Sequence, residues 1–180
     1  MQLTEKEYGE FLRTSLDFLF YVGKRLGIIS SDTKFNDFVD LNYKIKFKCR
    51  EAFLKNDQLL DDYLTSNADS LTNGQISVLA GFKKQIHSDF VILKCLAKHA
   101  IFIDTRTDKL YAVKSLSDRF DNFFKNFPVL VKTTILPFYD QIIYDGFIES
   151  TTVYLGPEIT RSLKAMYTKA KKLNQIRTSI

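Results

Sequence analysis

Cysteine is almost missing from this 180-residue chain: there are two, Cys49 and Cys95. That is too few for the disulfide framework of a small secreted domain, and the expectation is a cytoplasmic protein with free, buried thiols. Glycine and proline together make only ten residues, which excludes collagen-like repeats and flexible low-complexity linkers. Long apolar runs are also lacking. Those present are short, such as Phe18 to Val22 and Pro128 to Val131, whereas a bilayer-spanning helix needs about 20 consecutive apolar residues; no membrane partner is expected. The opening Met1-Gln2-Leu3-Thr4-Glu5-Lys6-Glu7 has no basic leader followed by an apolar stretch, so it does not read as a signal peptide.

What is present is ordinary for a globular chain: 45% apolar and 26% charged residues. The formal charge of +5 is uneven. Residues 1–90 hold 12 basic and 13 acidic side chains, and residues 91–180 hold 14 and 8. The last twenty residues carry Arg161, Lys164, Lys169, Lys171, Lys172 and Arg177 with no acid among them. Such a cluster attracts phosphate-rich partners. It also complements the dipole of a helix C-terminus, or simply forms a solvated face.

The first half reads as helices. Thr4 and Glu7 fit a capping box. Tyr8, Leu12, Ser15, Leu19, Val22 and Leu26 then recur at three- and four-residue steps, predicting a helix over about 4–26 that stops at Gly27. A second helix is expected over 33–55, a short third around 59–64, and a fourth opened by a Thr72–Gln75 capping box. Beyond residue 88 the pattern becomes strand-like. Phe90–Leu93, Ala100–Ile103 and Leu110–Val113 are apolar runs around the polar turn 104–109. Ser117-Asp118 is placed to cap a short helix holding Phe120, Phe123 and Phe124. Val129–Leu136 and Gln141–Tyr144 are further strands, with Asp145-Gly146 as the expected hairpin turn before a last strand over 147–155. Gly156-Pro157 opens a closing helix with Pro at N1. The fold class is therefore α+β: N-terminal helices, an antiparallel sheet of five or six strands, and a C-terminal helix. The chain reads as one domain over 1–180, with a helical sub-unit (1–66) and a sheet-containing sub-unit (70–180) as the alternative division.

The segments Asp89-Phe90, Ile101–Thr105 and Lys109–Val113, followed by Val129–Val131, Leu136-Pro137-Phe138 and Ile142–Gly146, resemble a group of uncharacterised bacterial proteins. Those proteins carry a leucine-proline-phenylalanine stretch, then isoleucine-tyrosine-aspartate-glycine, ahead of a last helix. The resemblance covers roughly residues 70–175 and departs at Tyr139-Asp140-Gln141. It implies no activity, and no functional residue carries over.

Signatures of catalysis are sparse. The seven glycines never take the spacing of a phosphate-binding loop or a dinucleotide fingerprint. No Gly-x-Ser-x-Gly elbow occurs. Cys95 and His99 are four apart, with Cys49 and His87 elsewhere, but on a strand four residues span roughly 12 Å or more, too far for a close ligand pair. Asp104, Asp108 and Lys114 lie along one hairpin and loosely suggest a metal-dependent phosphodiesterase, without the acid-x-Lys step that chemistry uses. As turn residues the two aspartates have a simpler role. No cofactor, metal ligand or catalytic residue is assigned, and the balance leans away from an enzyme. The leading reading is a non-enzymatic binding protein whose partner is another protein or a second copy of itself. The alternative is a nucleic-acid-binding accessory protein using Arg161, Lys164, Lys171 and Lys172 on the last helix, with Lys114 and Lys132 extending the patch. The phosphodiesterase is third.

Overall fold

A computed structural model describes residues 2–151 and 153–180. The chain divides into two compact units. One is Lys6–Lys83; the other joins Met1–Glu5 to Lys84–Ile180. The division falls after the fourth expected helix, not at 66–70, because that helix packs its apolar side on the helices before it.

The helical unit contains α1 (Glu5–Arg25), α2 (Phe35–Asp40), α3 (Tyr43–Leu54), α4 (Gln58–Ser66) and α5 (Asn73–Lys83). Helix α1 ends as expected at Gly27, whose φ of 65° suits a residue without Cβ. The Ile28 amide donates to Gly23 O at 2.9 Å and the Gly27 amide to Lys24 O, a Schellman stop. The single helix expected over 33–55 is two. Asn42 takes an extended backbone and its side chain accepts from Ile45 N, restarting the helix, while Lys46 Nζ donates to Val39 O and Leu41 O at the end of α2. The Thr72–Gln75 capping box forms in both directions. Aromatic rings fill this unit's core: Phe18 lies 4.9 Å from Phe53, 5.4 Å from Tyr63 and 6.0 Å from Phe82, centroid to centroid.

The second unit is a closed barrel of β1 (Ile86–Cys95), β2 (Ala100–Asp104), β3 (Leu110–Lys114), β4 (Val129–Phe138) and β5 (Gln141–Ser150), with α6 (Phe120–Phe123) between β3 and β4 and α7 (Pro157–Lys172) after β5. The order around the barrel is β1-β2-β3-β5-β4, and β1 closes it on β4. Four pairings are antiparallel; β3 and β5 run parallel through Val113↔Ile142 and Lys114↔Ile143. This strand order is that of an OB-type Greek-key barrel.

Alternation sorts the strand residues. Phe90, Phe102, Tyr111, Phe120 and Tyr144 form one chain of rings with neighbouring centroids 5.2–6.3 Å apart. The intervening Val91, Leu93, Ile101, Ile103 and Leu110 form a second cluster with Ala170, against which Leu163, Met166 and Tyr167 pack. Helix α7 therefore lies on the outer side of β1–β2–β3, and these strands are buried on both faces.

Two expectations are corrected here. Asp145-Gly146 is not a hairpin turn. It lies inside β5 at a bulge, between the pairs Thr133↔Ile148 and Ile135↔Tyr144, and Gly146 supplies the positive φ of 92° that the bulge requires. The β4–β5 turn is Tyr139-Asp140, with Tyr139 at φ 52°. Among the described residues no sixth strand follows: Val153 and Tyr154 are exposed and unpaired by any ladder, and Thr152 lies outside the described residues.

Candidate functional site

Helix α7 starts at Gly156-Pro157 as the sequence predicts. Ala170 is its one buried residue among those described, with Leu163, Met166 and Tyr167 half-buried. At 100° per residue, Ile159, Leu163, Met166 and Ala170 lie within about 40° of one line. Lys164 and Lys171 fall on one flank, Arg161 and Lys172 on the opposite side of the cylinder, and Lys169 on the other flank. All five are exposed. The four cations singled out from sequence therefore fan over a solvent-facing surface and do not converge on a groove. Lys132 does not extend them. Its register neighbours are Asp89 on β1 and Glu149 on β5, so a carboxylate flanks it on each side.

A concave site does form nearby, from cations that sequence reasoning did not single out as a set. The β2–β3 turn, the last turn of α7 and the C-terminal segment enclose an open hollow of about 780 Å³. Lys109, Lys169 and Arg177 line it, with Asp108 as the opposing charge and Asn174, Gln175, Thr178 and Ser179 as further polar groups. Each segment is fixed by backbone bonds. Helix α7 stops in a Schellman motif: Asn174 sits at φ 52°, its amide donates to Lys171 O, and the Gln175 amide donates to Ala170 O at 2.9 Å. The chain then runs along the edge of β3 that β5 leaves open. Arg177 N donates to Leu110 O and accepts at its own carbonyl from Ala112 N, both at 2.8 Å.

The turn that presents Lys109 is held by Asp104, which is 2% exposed. Its carboxylate accepts from Ser88 Oγ and Thr107 Oγ1 at 2.6 Å and from Arg106 N at 3.1 Å. Arg106 in turn donates to Ser88 Oγ and His87 O. Burial pushes the Asp104 carboxyl up, but these hydrogen bonds and the Arg106 charge outweigh it and hold it below its ordinary 3.8. Asp108 donates its amide to Asp104 O and occupies the left-handed region at φ 56°. The two aspartates are thus a turn's framework, as the simpler sequence reading had it, and Asp104's oxygens are taken up by protein donors. Among the described residues no three His, Cys, Asp or Glu side chains gather in a way that could hold a metal ion.

The thiols belong to packing. Cys49 is buried in the helical unit and Cys95 half-buried at the end of β1. Burial pushes both up to about 11. At pH 8 only about one in a thousand of either is thiolate. Both are expected to react with an aromatic disulfide reagent far more slowly than a free cysteine at pH 8 and to gain rate steeply toward pH 10; reaction at the free-cysteine rate would refute this.

Comparison of the chain with protein families, with curated proteins and with solved structures gave no match.

Proposed function

We propose that the barrel unit is a non-enzymatic, cytoplasmic binding module whose ligand is nucleic acid. One observation carries this reading: the net charge resides entirely in the barrel unit. That unit holds 15 basic and 10 acidic residues, whereas Lys6–Lys83 holds 11 of each. Within the barrel unit the excess concentrates on α7 beyond its first turn and the segment after it: Glu158 is the helix's one acid, and from Arg161 onward six cations stand without another. OB-type barrels bind oligonucleotides on the outer β2–β3 side. Here α7 covers that side, so the surface offered to a ligand is the helix's own outward face with Arg161, Lys164, Lys171 and Lys172.

Phosphate neutralisation by lysine and arginine releases counterions, so log affinity for a single-stranded oligonucleotide should fall linearly with log salt, by about 0.7 per phosphate neutralised. Replacing Lys164, Lys171 and Lys172 by Ala together should lower affinity at low salt and flatten that slope by about 2. Fluorescence anisotropy of a labelled oligonucleotide across 20–300 mM salt, roughly one Debye regime to the next, measures both. Absence of binding at the lowest salt refutes the reading. A partner protein or homodimer on the same face would instead show salt-tolerant association.

A further inference from the structure

We propose that the hollow at the C-terminal end of α7 is a binding site for a phosphate monoester, formed by Lys109, Lys169 and Arg177 with an apolar wall of Leu110, Met166 and Ile176. It is distinct from the outward face of α7 and does not depend on the polyanion reading. Three cations reach it from three separate segments, and none of them forms an ion pair among the described residues. A phosphate dianion brings several acceptor oxygens and a double charge, which suits a set of charged donors around one concavity better than a single carboxylate does. The backbone that carries each donor is held before any ligand arrives: Lys109 by the Asp104 turn, Lys169 by the last turn of α7, Arg177 by its two main-chain bonds to β3. Binding then has to order three exposed side chains but little main chain.

The size of the hollow, about 780 Å³, is within the range of small-ligand sites and exceeds what an inorganic phosphate fills. The apolar wall gives the body of the ligand a place. Leu110 and Ile176 belong to the cluster beneath α7, and Met166 lies one helical turn before Ala170. A mononucleotide and the 5′-phosphorylated end of a strand share the required chemistry: a monoester dianion on a flat, partly apolar body. Asp108 is the one acidic side chain on the rim among the described residues, and it limits affinity by repulsion.

The test is an amide chemical-shift titration of the full chain with adenosine 5′-monophosphate. Saturable shifts confined to residues 108–110 and 174–179 are expected. Lys169→Ala and Arg177→Ala should each weaken binding about tenfold, the worth of one charge-assisted hydrogen bond. Asp108→Asn should tighten it severalfold; Asn tolerates the left-handed backbone there, so this variant keeps the turn and guards against reading a loosened fold as lost binding. Lys164→Ala should leave it unchanged. A second arm compares one oligonucleotide with and without a 5′-phosphate. Tighter binding of the phosphorylated form, displaced by the mononucleotide, assigns the hollow to strand ends; equal binding of both, with the mononucleotide still saturating the hollow, assigns it to free nucleotides. The proposal is overturned if the mononucleotide gives no saturable shift, or if Lys169→Ala, Arg177→Ala and Asp108→Asn all bind it as the unaltered chain does. If the oligonucleotide fails to bind while the mononucleotide saturates the hollow, only the nucleic-acid reading falls.

Discussion

Phe18→Ala is expected to destabilise the helical unit by about 3–5 kcal/mol, the usual cost of emptying a large aromatic site. Phe18 is fully buried and touches the rings of Phe53, Tyr63 and Phe82. It thereby joins α1 to α3, α4 and α5 through a single side chain. The void left by truncation faces three other rings that cannot all shift inward at once, so collapse recovers little. A typical domain has only about 5–15 kcal/mol in total, so amide protection throughout α1, α3 and α5 should fall together. Phe18→Leu keeps most of the volume and should cost about 1.5 kcal/mol or less. Hydrogen exchange of the helical amides, with denaturant titration, measures both. Equal protection in Phe18→Ala and the unaltered chain would contradict this account of the core.

Asp104→Ala is expected to cost the barrel unit about 2–4 kcal/mol, because it removes the acceptor of one buried and two part-buried hydrogen bonds. Ser88, 4% exposed, loses the 2.6 Å acceptor of its Oγ and keeps only the longer Asp89 O at 3.3 Å, while Thr107 Oγ1 and Arg106 N lose the acceptor Asp104 gave them. The Arg106 guanidinium loses its charge partner. Acidity should reveal the same group. The folded carboxyl titrates below its ordinary 3.8, so its contribution is complete above that value and disappears as pH falls through the lower folded one. Stability of the unaltered chain should therefore drop on acidification below about pH 4, and Asp104→Asn should lack that portion of the drop. Thermal unfolding of the two proteins between pH 2.5 and 6, roughly the interval spanning ordinary carboxylates, provides the comparison. Parallel curves for the two would remove Asp104 from this role.

Local signals were the most legible part of the sequence. Gly27 as a helix stop, the Thr72–Gln75 box and Pro157 at N1 depend on neighbours within a few residues, and each is present in the fold. The order of helices, strands and closing helix was legible for the same reason. Non-local choices were not. Asp145-Gly146 has the composition of a hairpin turn, but the pairing of β5 with β4 makes it a bulge, and Tyr139-Asp140 takes the turn without a glycine. Asn42 divides one periodic stretch into two helices because its side chain caps the second more favourably than its backbone continues the first. The parallel β3–β5 pair carries no mark in either strand's alternation.

The candidate site follows the same rule. The acid-free end of the chain is visible at once, and its exposure on α7 was expected. Which cations share a concavity was not visible. Lys109 and Arg177 are 68 positions apart by number, and only the main-chain pairing at Leu110–Ala112 brings them to one place. Lys132 failed in the opposite sense: it is basic in sequence, but the register sets it between Asp89 and Glu149.

The pairing of Arg177 with Leu110 and Ala112 has a meaning beyond the hollow. Where β5 departs from β3, a short row of amides and carbonyls would otherwise face outward, and such a row recruits strands from other molecules. The segment around Arg177 occupies it. If that segment lifts away, the barrel gains an adhesive rim while its interior stays closed, so self-association of this protein would begin there with the native core still intact.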